Sequence, residues 1–183
     1  LMGYVNTAGA GGEVRKFANV ASMRSHGVEA TISSQNIRTK DFDWSTDLTY
    51  AYTKTTIKDV LSQANVINLV YNSGANIRKG YPHRSLFSIP FVGLNDEGIP
   101  TVINEKGEVT TTDINFQEYQ SLGFLKYEGP TEPTMNGGLN NTLRYKNWRL
   151  NVFVTYSFGN KIRLDQVFSS SYSDMSAMPK EFK

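Results

Sequence analysis

The stretch Asp41-Phe42-Asp43-Trp44-Ser45-Thr46-Asp47-Leu48-Thr49-Tyr50-Ala51-Tyr52 decides the fold. Its even positions read Phe42, Trp44, Thr46, Leu48, Tyr50 and Tyr52, while the odd ones read Asp43, Ser45, Asp47, Thr49 and Ala51. A period of two belongs to a β-strand with one apolar and one polar face; a helix would repeat at three and four residues. Trp148 to Phe158 has the same form, with Trp148, Leu150, Val152, Val154, Tyr156 and Phe158 set against Arg149, Asn151, Phe153, Thr155 and Ser157. Two partner strands complete the pattern. Val28, Ala30 and Ile32 alternate with Glu29, Thr31 and Ser33, in a strand starting as early as Phe17, and Leu139, Asn141, Leu143 and Tyr145 alternate with Asn140, Thr142 and Arg144. The short polar links Asn36 to Asp41 and Lys146-Asn147 make each pair an antiparallel hairpin.

Composition agrees with an all-β chain. The 183 residues are 39% hydrophobic and 12% aromatic, with a mean hydropathy of −0.40. No run approaches the ~18 to 20 apolar residues of a spanning helix, so a bundle of membrane helices is excluded. The balance of 19 basic against 17 acidic residues argues against a nucleic-acid partner, which needs a clustered basic surface. Cysteine is absent, which excludes disulfides and thiolate metal sites. The start at Leu1 carries no export signal, and both ends read as cuts through a longer polypeptide.

Thr55 to Asn136 has a different texture, with five of the six prolines and turn clusters at Asn95 to Gly98 and Asn104 to Gly107. Ser85 to Leu94 is apolar on both faces but contains Pro90, which demotes it from a central strand to part of a folded loop. Thr101 to Ile103 and Glu108 to Thr110 form a small hairpin in this reading. A structureless segment of that length is rare in a compact domain, so the insertion has structure of its own.

Long amphipathic strands fit either a soluble sandwich with a packed inner face or a membrane barrel with a lipid-facing outer one. Three features favour the barrel. Aromatic residues stand at the ends of the apolar faces, as Phe42 and Trp44 against Tyr50 and Tyr52, and as Trp148 against Tyr156 and Phe158. Strands of ~11 residues at ~3.3 Å per residue and ~40° tilt span about 25 Å of hydrocarbon. Short and long connections alternate, like the periplasmic turns and extracellular loops of such barrels. The lipid-facing set is then Val28, Ile32, Phe42, Trp44, Leu48, Tyr50, Tyr52, Leu143, Tyr145, Trp148, Leu150, Val152, Val154, Tyr156 and Phe158. Glu29, Asp43, Asp47, Arg144 and Arg149 face the lumen, where water spares them a cost of several kcal/mol.

The motifs that connect these strands resemble one family. Gly27-Val28-Glu29-Ala30 followed by Asp41-Phe42-Asp43-Trp44-Ser45-Thr46-Asp47-Leu48-Thr49-Tyr50, then Gly80-Tyr81-Pro82, Gly93-Leu94, Gly98-Ile99-Pro100 and Gly107 are similar to stretches of SusC/RagA-type TonB-dependent outer-membrane transporters. So are Gly129-Pro130-Thr131-Glu132-Pro133, the run Gly137 to Trp148, and Tyr156-Ser157-Phe158-Gly159, all in the same order. The resemblance implies a slice of a barrel of about 22 strands from the outer membrane of a Gram-negative member of the Bacteroidota.

The implied fold is a partial antiparallel transmembrane β-barrel with about four spanning strands and a long folded extracellular loop. Within residues 1–183 the expected parts are a first hairpin over 17–54, the extracellular insertion over 55–137, a second hairpin over 138–164 and the start of a further loop over 165–183. The implied function is uptake of glycans or peptides, with no enzymatic role and no cofactor. The implied partners are the bilayer, a SusD-like surface lipoprotein acting as a lid, and TonB, contacted through N-terminal parts outside this chain. A soluble extracellular β-sandwich that binds carbohydrate is the competing reading.

Other chemistry finds little support. His26 and His83 are far apart and lack acidic neighbours at metal-ligand spacing, and no nucleophile elbow or nucleotide loop occurs. Gly9, Gly11 and Gly12 read as a flexible loop. Ligand or lid contacts are expected from insertion aromatics, chiefly Tyr81, Phe87, Phe91, Tyr119 and Tyr127, with the alternative that these residues form the insertion's own core.

Overall fold

The computed structural model describes residues 2–6, 15–61, 64–71 and 77–164. In chain order the elements are β1 (Met2–Asn6), β2 (Arg15–Asn19), β3 (Ala21–Arg38), β4 (Phe42–Val60), α1 (Val66–Tyr71), β5 (Ser85–Ser88), β6 (Phe91–Leu94), β7 (Pro100–Ile103), β8 (Val109–Thr110), a 3-10 turn at Leu122–Phe124, β9 (Lys126–Pro130), β10 (Met135–Tyr145) and β11 (Trp148–Phe158). Residues 165–183 and Gly9, Gly11 and Gly12 lie outside the described residues.

The two hairpins join edge to edge in one antiparallel sheet of order β11-β10-β4-β3. Register is continuous across it: Leu48 opposes Ile32 on one side and Leu139 on the other, and Leu139 opposes Val154. Side chains in one cross-strand row share a face, so this register gathers the even positions of β4 and β11 with their partners on a single surface. Both short turns lie at the same end, where the Lys146 amide donates to the Asp41 carbonyl (2.8 Å). Thr39 closes the first turn, its hydroxyl accepting from the Phe42 amide (2.9 Å). Lys146 takes a left-handed φ of 51° in the second.

The first hairpin is longer than its alternation indicates. β4 runs on to Val60, paired with β3 on one edge; on the other, the Ile57 amide donates to the Tyr81 carbonyl (2.9 Å) and the Gly80 amide to the Ile57 carbonyl (3.0 Å). Ladder pairing on both edges keeps residues 53–60 extended after their apolar alternation has ended. The expected start near Phe17 is corrected for a related reason. The β3–β4 ladder ends at the pair Ala21–Val60, followed by the Leu61 amide donating to the Val20 carbonyl (2.8 Å), and Arg15–Asn19 pairs with β1 in a separate two-stranded ribbon.

The insertion therefore spans 61–134. Pro90 divides Ser85 to Leu94: β5 pairs with β9, whereas β6 joins β7 and β8 in a three-stranded sheet. The expected β7–β8 hairpin is present with this additional strand. Val66, Leu69, Phe87, Leu122 and Leu125 form the insertion's core, with Tyr81, Ile89 and Phe124 packed around it. α1 is capped at its N-terminus by Asn65, whose side-chain oxygen accepts from the Asn68 amide (3.1 Å). Behind β11, the Lys161 amide donates to the Pro130 carbonyl (2.7 Å), and Arg163 donates to the carbonyls of Val70 and Phe87. The second hairpin thus carries a strap that ties the insertion to the sheet.

No other sheet covers the apolar face of the four strands among the described residues. Ile32 is 59% exposed, Leu150 59% and Trp148 80%, far from the near-complete burial of a sandwich core. The soluble sandwich fails on this observation.

Candidate functional site

The first component of the site is the wall itself. Its apolar face runs from the row Phe42, Tyr145, Trp148 at the turn end to the row Val28, Tyr52, Met135, Phe158 at the other. Between them lie Ile37, Trp44, Leu143 and Leu150, then Ile32, Leu48, Leu139 and Val154. Aromatic side chains thus gather toward both ends, with Trp44 in the second row and Tyr50 and Tyr156 in the last but one, and aliphatic ones prevail at Ile32, Leu48, Leu139 and Val154 between them, the distribution found in membrane barrels.

One row within the band is polar, and sequence alternation alone gave it no role. The Trp44 indole N–H (3.0 Å) and the Thr46 hydroxyl (2.7 Å) both donate to Asn141 Oδ1, Asn36 Nδ2 donates to Thr46 Oγ1 (2.6 Å), and Ser34 donates to Asn36 Oδ1 (2.9 Å). A β-bulge between Gln35 and Ile37 inserts Asn36 into this chain of hydrogen bonds. The polar groups satisfy one another across three strands, which makes them tolerable on a face otherwise built from hydrocarbon.

Glycines set the closeness of the strands. A Cβ on Gly137 would collide with the Thr49 carbonyl and the Tyr156 hydroxyl, and one on Gly27 with the Tyr52 carbonyl. Only glycine permits that approach. This gives a physical reason for two glycines singled out in the sequence motifs.

The opposite face is polar and internally bonded. Arg144 lies 3.5 Å from Asp43, which also accepts from Gln35 Nε2 (2.5 Å), and Asn140 donates to Asp47 (3.4 Å). Arg149 opposes Arg144 in register and Glu29 opposes Ala51, so the five residues read from sequence as lumen-facing occupy one surface. Phe153 is an apolar side chain on this face, and its ring lies over the bare backbone of Gly138. The insertion crosses the end of this sheet at Ile57, which is fully buried and belongs to the polar-face register.

The second component is a cavity of about 290 Å³ in the insertion, lined by Leu69, Arg78, Tyr81, Gln120 and Leu122 among others. Arg78 stacks over Tyr81 (4.7 Å) and Phe87 (5.0 Å) and donates through Nη2 to the Leu122 carbonyl (3.0 Å). Its Nη1 is buried without a hydrogen-bond partner among the described residues, and burial lowers the affinity of the guanidinium for its proton. Tyr81, Phe87 and Tyr127 form a ring cluster with centroids 5.0 to 5.7 Å apart. Burial raises the Tyr127 phenol above its ordinary range. Phe87 is 0% exposed, which removes it as a ligand contact and places it in the core; Phe91 and Tyr119 stand free on the surface. Metal-ligand side chains do not gather in threes among the described residues.

This architecture, an uncapped amphipathic sheet carrying a folded insertion at one end, has the form of a slice of an antiparallel β-barrel, and it is similar to TonB-dependent receptors and transporters. The comparisons with known proteins agree. A TonB-dependent receptor P3 from Formosa agariphila is 26% identical in an alignment of 157 residues that covers 79% of this chain and 16% of that protein. The RagAB peptide transporter superposes with a TM-score of 0.62 at 19% identity, covering 85% of this chain and 17% of the other. The RagAB peptide importer in its open-open state gives 0.65 at 18%, covering 87% and 17%. No protein-family profile matches. The resemblance to TonB-dependent transporters read from the motifs is thus met again in the sequence of a TonB-dependent receptor and in the fold of the RagAB peptide transporter. The chain spans about a sixth of their length.

Proposed function

We propose that this chain is part of the wall of a TonB-dependent outer-membrane importer for glycans or peptides, and that residues 61–134 stand outside the cell beside the substrate vestibule. The observation that carries this reading is the uncovered apolar face held in register across four strands, with both tight turns at one end and the insertion at the other. In this arrangement the even face meets lipid, and Glu29, Asp43, Asp47, Arg144 and Arg149 line the lumen.

A SusD-like surface lipoprotein is the partner that closes over the vestibule. The exposed side chains of Phe91, Leu94 and Tyr119 on the insertion offer it apolar contact. Energy for uptake comes from TonB acting on parts of the transporter outside this chain. Orientation is tested by single cysteines in the full-length protein, Glu97→Cys in the insertion and Asn147→Cys in the second turn. A membrane-impermeant maleimide on intact cells labels the first and spares the second; the reverse pattern refutes the orientation.

A further inference from the structure

Directly beyond the row Val28, Tyr52, Met135, Phe158, the same face of the β3–β4 hairpin changes from aromatic to basic. Register places His26 opposite Lys54 and Arg24 opposite Thr56. The irregularity between Ser22 and Met23 leaves Lys58 as an extra residue on β4, and Arg24, His26, Thr56 and Lys58 line one shallow depression of about 490 Å³. Arg24, His26, Lys54 and Lys58 are all exposed, and none enters an ion pair among the described residues. The nearest carboxylate along the strand, Asp59, is already engaged by Lys79 (3.0 Å) and by the Ser22 hydroxyl (3.4 Å).

Depth decides what this cluster meets. Lys54 and Thr56 lie two and four residues past Tyr52, about 7 to 13 Å along the strand and about 5 to 10 Å along the membrane normal at ~40° tilt. His26 and Lys54 thus lie in the headgroup layer, which adds roughly 5 to 8 Å on each side of the hydrocarbon, while Arg24, Thr56 and Lys58 stand just above it. The face points away from the lumen, so neither substrate nor plug reaches it. Cations at this level, without ion pairs among the described residues and flanked by an aromatic row, attract the anionic groups of the leaflet they border.

We propose that Arg24, His26, Lys54 and Lys58 form a binding site for the phosphate of an outer-leaflet glycolipid. The sugar headgroup lies over the exposed hairpin, the Thr56 hydroxyl is an additional polar contact in the depression, and the acyl chains run down the apolar rows beginning at Val28 and Tyr52. The inference rests on the orientation proposed above and adds to it a specific lipid contact.

The test uses the full-length transporter in detergent micelles, with monophosphorylated lipid A and its dephosphorylated counterpart as probes and native mass spectrometry as the readout. The phosphorylated lipid binds at least about tenfold more tightly, each neutralised cation costs about fivefold, and Arg24→Gln/His26→Gln/Lys54→Gln/Lys58→Gln abolishes the preference. Lys54→Arg/Lys58→Arg preserves it. If the fourfold variant fails to insert, the single variants Arg24→Gln and Lys54→Gln, both at exposed positions, carry the comparison.

Equal binding of the two lipids overturns the inference, as does an unchanged preference in the neutralised variants. Displacement of the lipid by millimolar inorganic phosphate makes this a free-anion site and overturns the lipid assignment. A transporter that inserts normally but lacks the preference leaves the importer reading intact; a protein that does not fractionate with the outer membrane removes both.

Discussion

The Tyr156 hydroxyl donates to the Thr49 carbonyl across an entire intervening strand, at 2.9 Å, because Gly137 between them has no side chain. The ring lies over the glycine and stacks with Phe158 at 5.8 Å, so three strands are pinned at the upper aromatic level. Gly137→Ala forces ring and backbone apart and is expected to destabilise the barrel by about 2 to 3 kcal/mol, the scale of overpacking. Tyr156→Phe removes only the hydrogen bond, at about 1 kcal/mol. Urea titration of the refolded full-length barrel in vesicles, read by tryptophan fluorescence, distinguishes the two; equal and negligible effects contradict the pinning.

Asn141 is the acceptor for two donors from the neighbouring strand, Trp44 and Thr46. Asn141→Leu strands both in the apolar band, at an expected cost of about 1 to 3 kcal/mol. Adding Thr46→Val removes one orphaned donor and recovers part of the loss. The same unfolding titration in a double-mutant cycle reads the coupling, and strict additivity counts against the hydrogen-bonded row.

Arg78 packs chiefly as a stacked plane over two rings, with one nitrogen left unsatisfied. Its length and shape therefore matter more than its charge. Arg78→Ala should loosen the insertion by about 2 kcal/mol, whereas Arg78→Met, which fills the same space without a buried cation, stays within about 1 kcal/mol of the native protein. Hydrogen exchange of the amides in α1 and Leu122–Leu125 measures both. Equal acceleration in the two variants shows that charge decides.

The carboxylate of Glu118 accepts from the amides of Gln120 (2.6 Å) and Ser121 (2.8 Å), and these backbone hydrogen bonds, led by Ser121, hold its pKa below the ordinary value. Glu128 is lowered in the same direction, first by the Ser88 hydroxyl and then by Lys126. A carboxylate with a depressed folded-state pKa contributes stability above its unfolded value, and that contribution is lost as pH falls through the folded pKa. Exchange in the turn at Glu118 to Ser121 is thus expected to rise below about pH 4, and Glu118→Gln to flatten that rise. A pH profile identical in the two proteins refutes the assignment.

Much of the wall was legible in the residues because a sheet with one apolar and one polar face imposes alternation directly on them: Trp44 and Leu48 share a face for the same reason that Asp43 and Asp47 do. Legibility ended where that constraint ended. Thr53 to Thr56 is polar on both faces, so nothing in its pattern announces that β4 continues to Val60; ladder bonds to β3 and to Gly80-Tyr81 decide it. Val66-Ile67-Asn68-Leu69-Val70-Tyr71 has the composition of a strand and becomes helical because Asn65 caps it and the core receives Val66 and Leu69. Arg78 was invisible as a site residue, since its importance comes from rings at Tyr81 and Phe87 that only the folded insertion brings beneath it.

The central claim is that even positions meet lipid and odd positions meet water. Full-length protein carrying Val152→Cys or Asn151→Cys, adjacent on β11, is reacted in native outer membranes with a lipid-dissolved maleimide and with a small water-soluble one. The account predicts that the cysteine at 152 reacts with the lipid-phase reagent alone and the cysteine at 151 with the aqueous reagent alone. The opposite pattern, or equal reaction of both cysteines with the aqueous reagent, contradicts it.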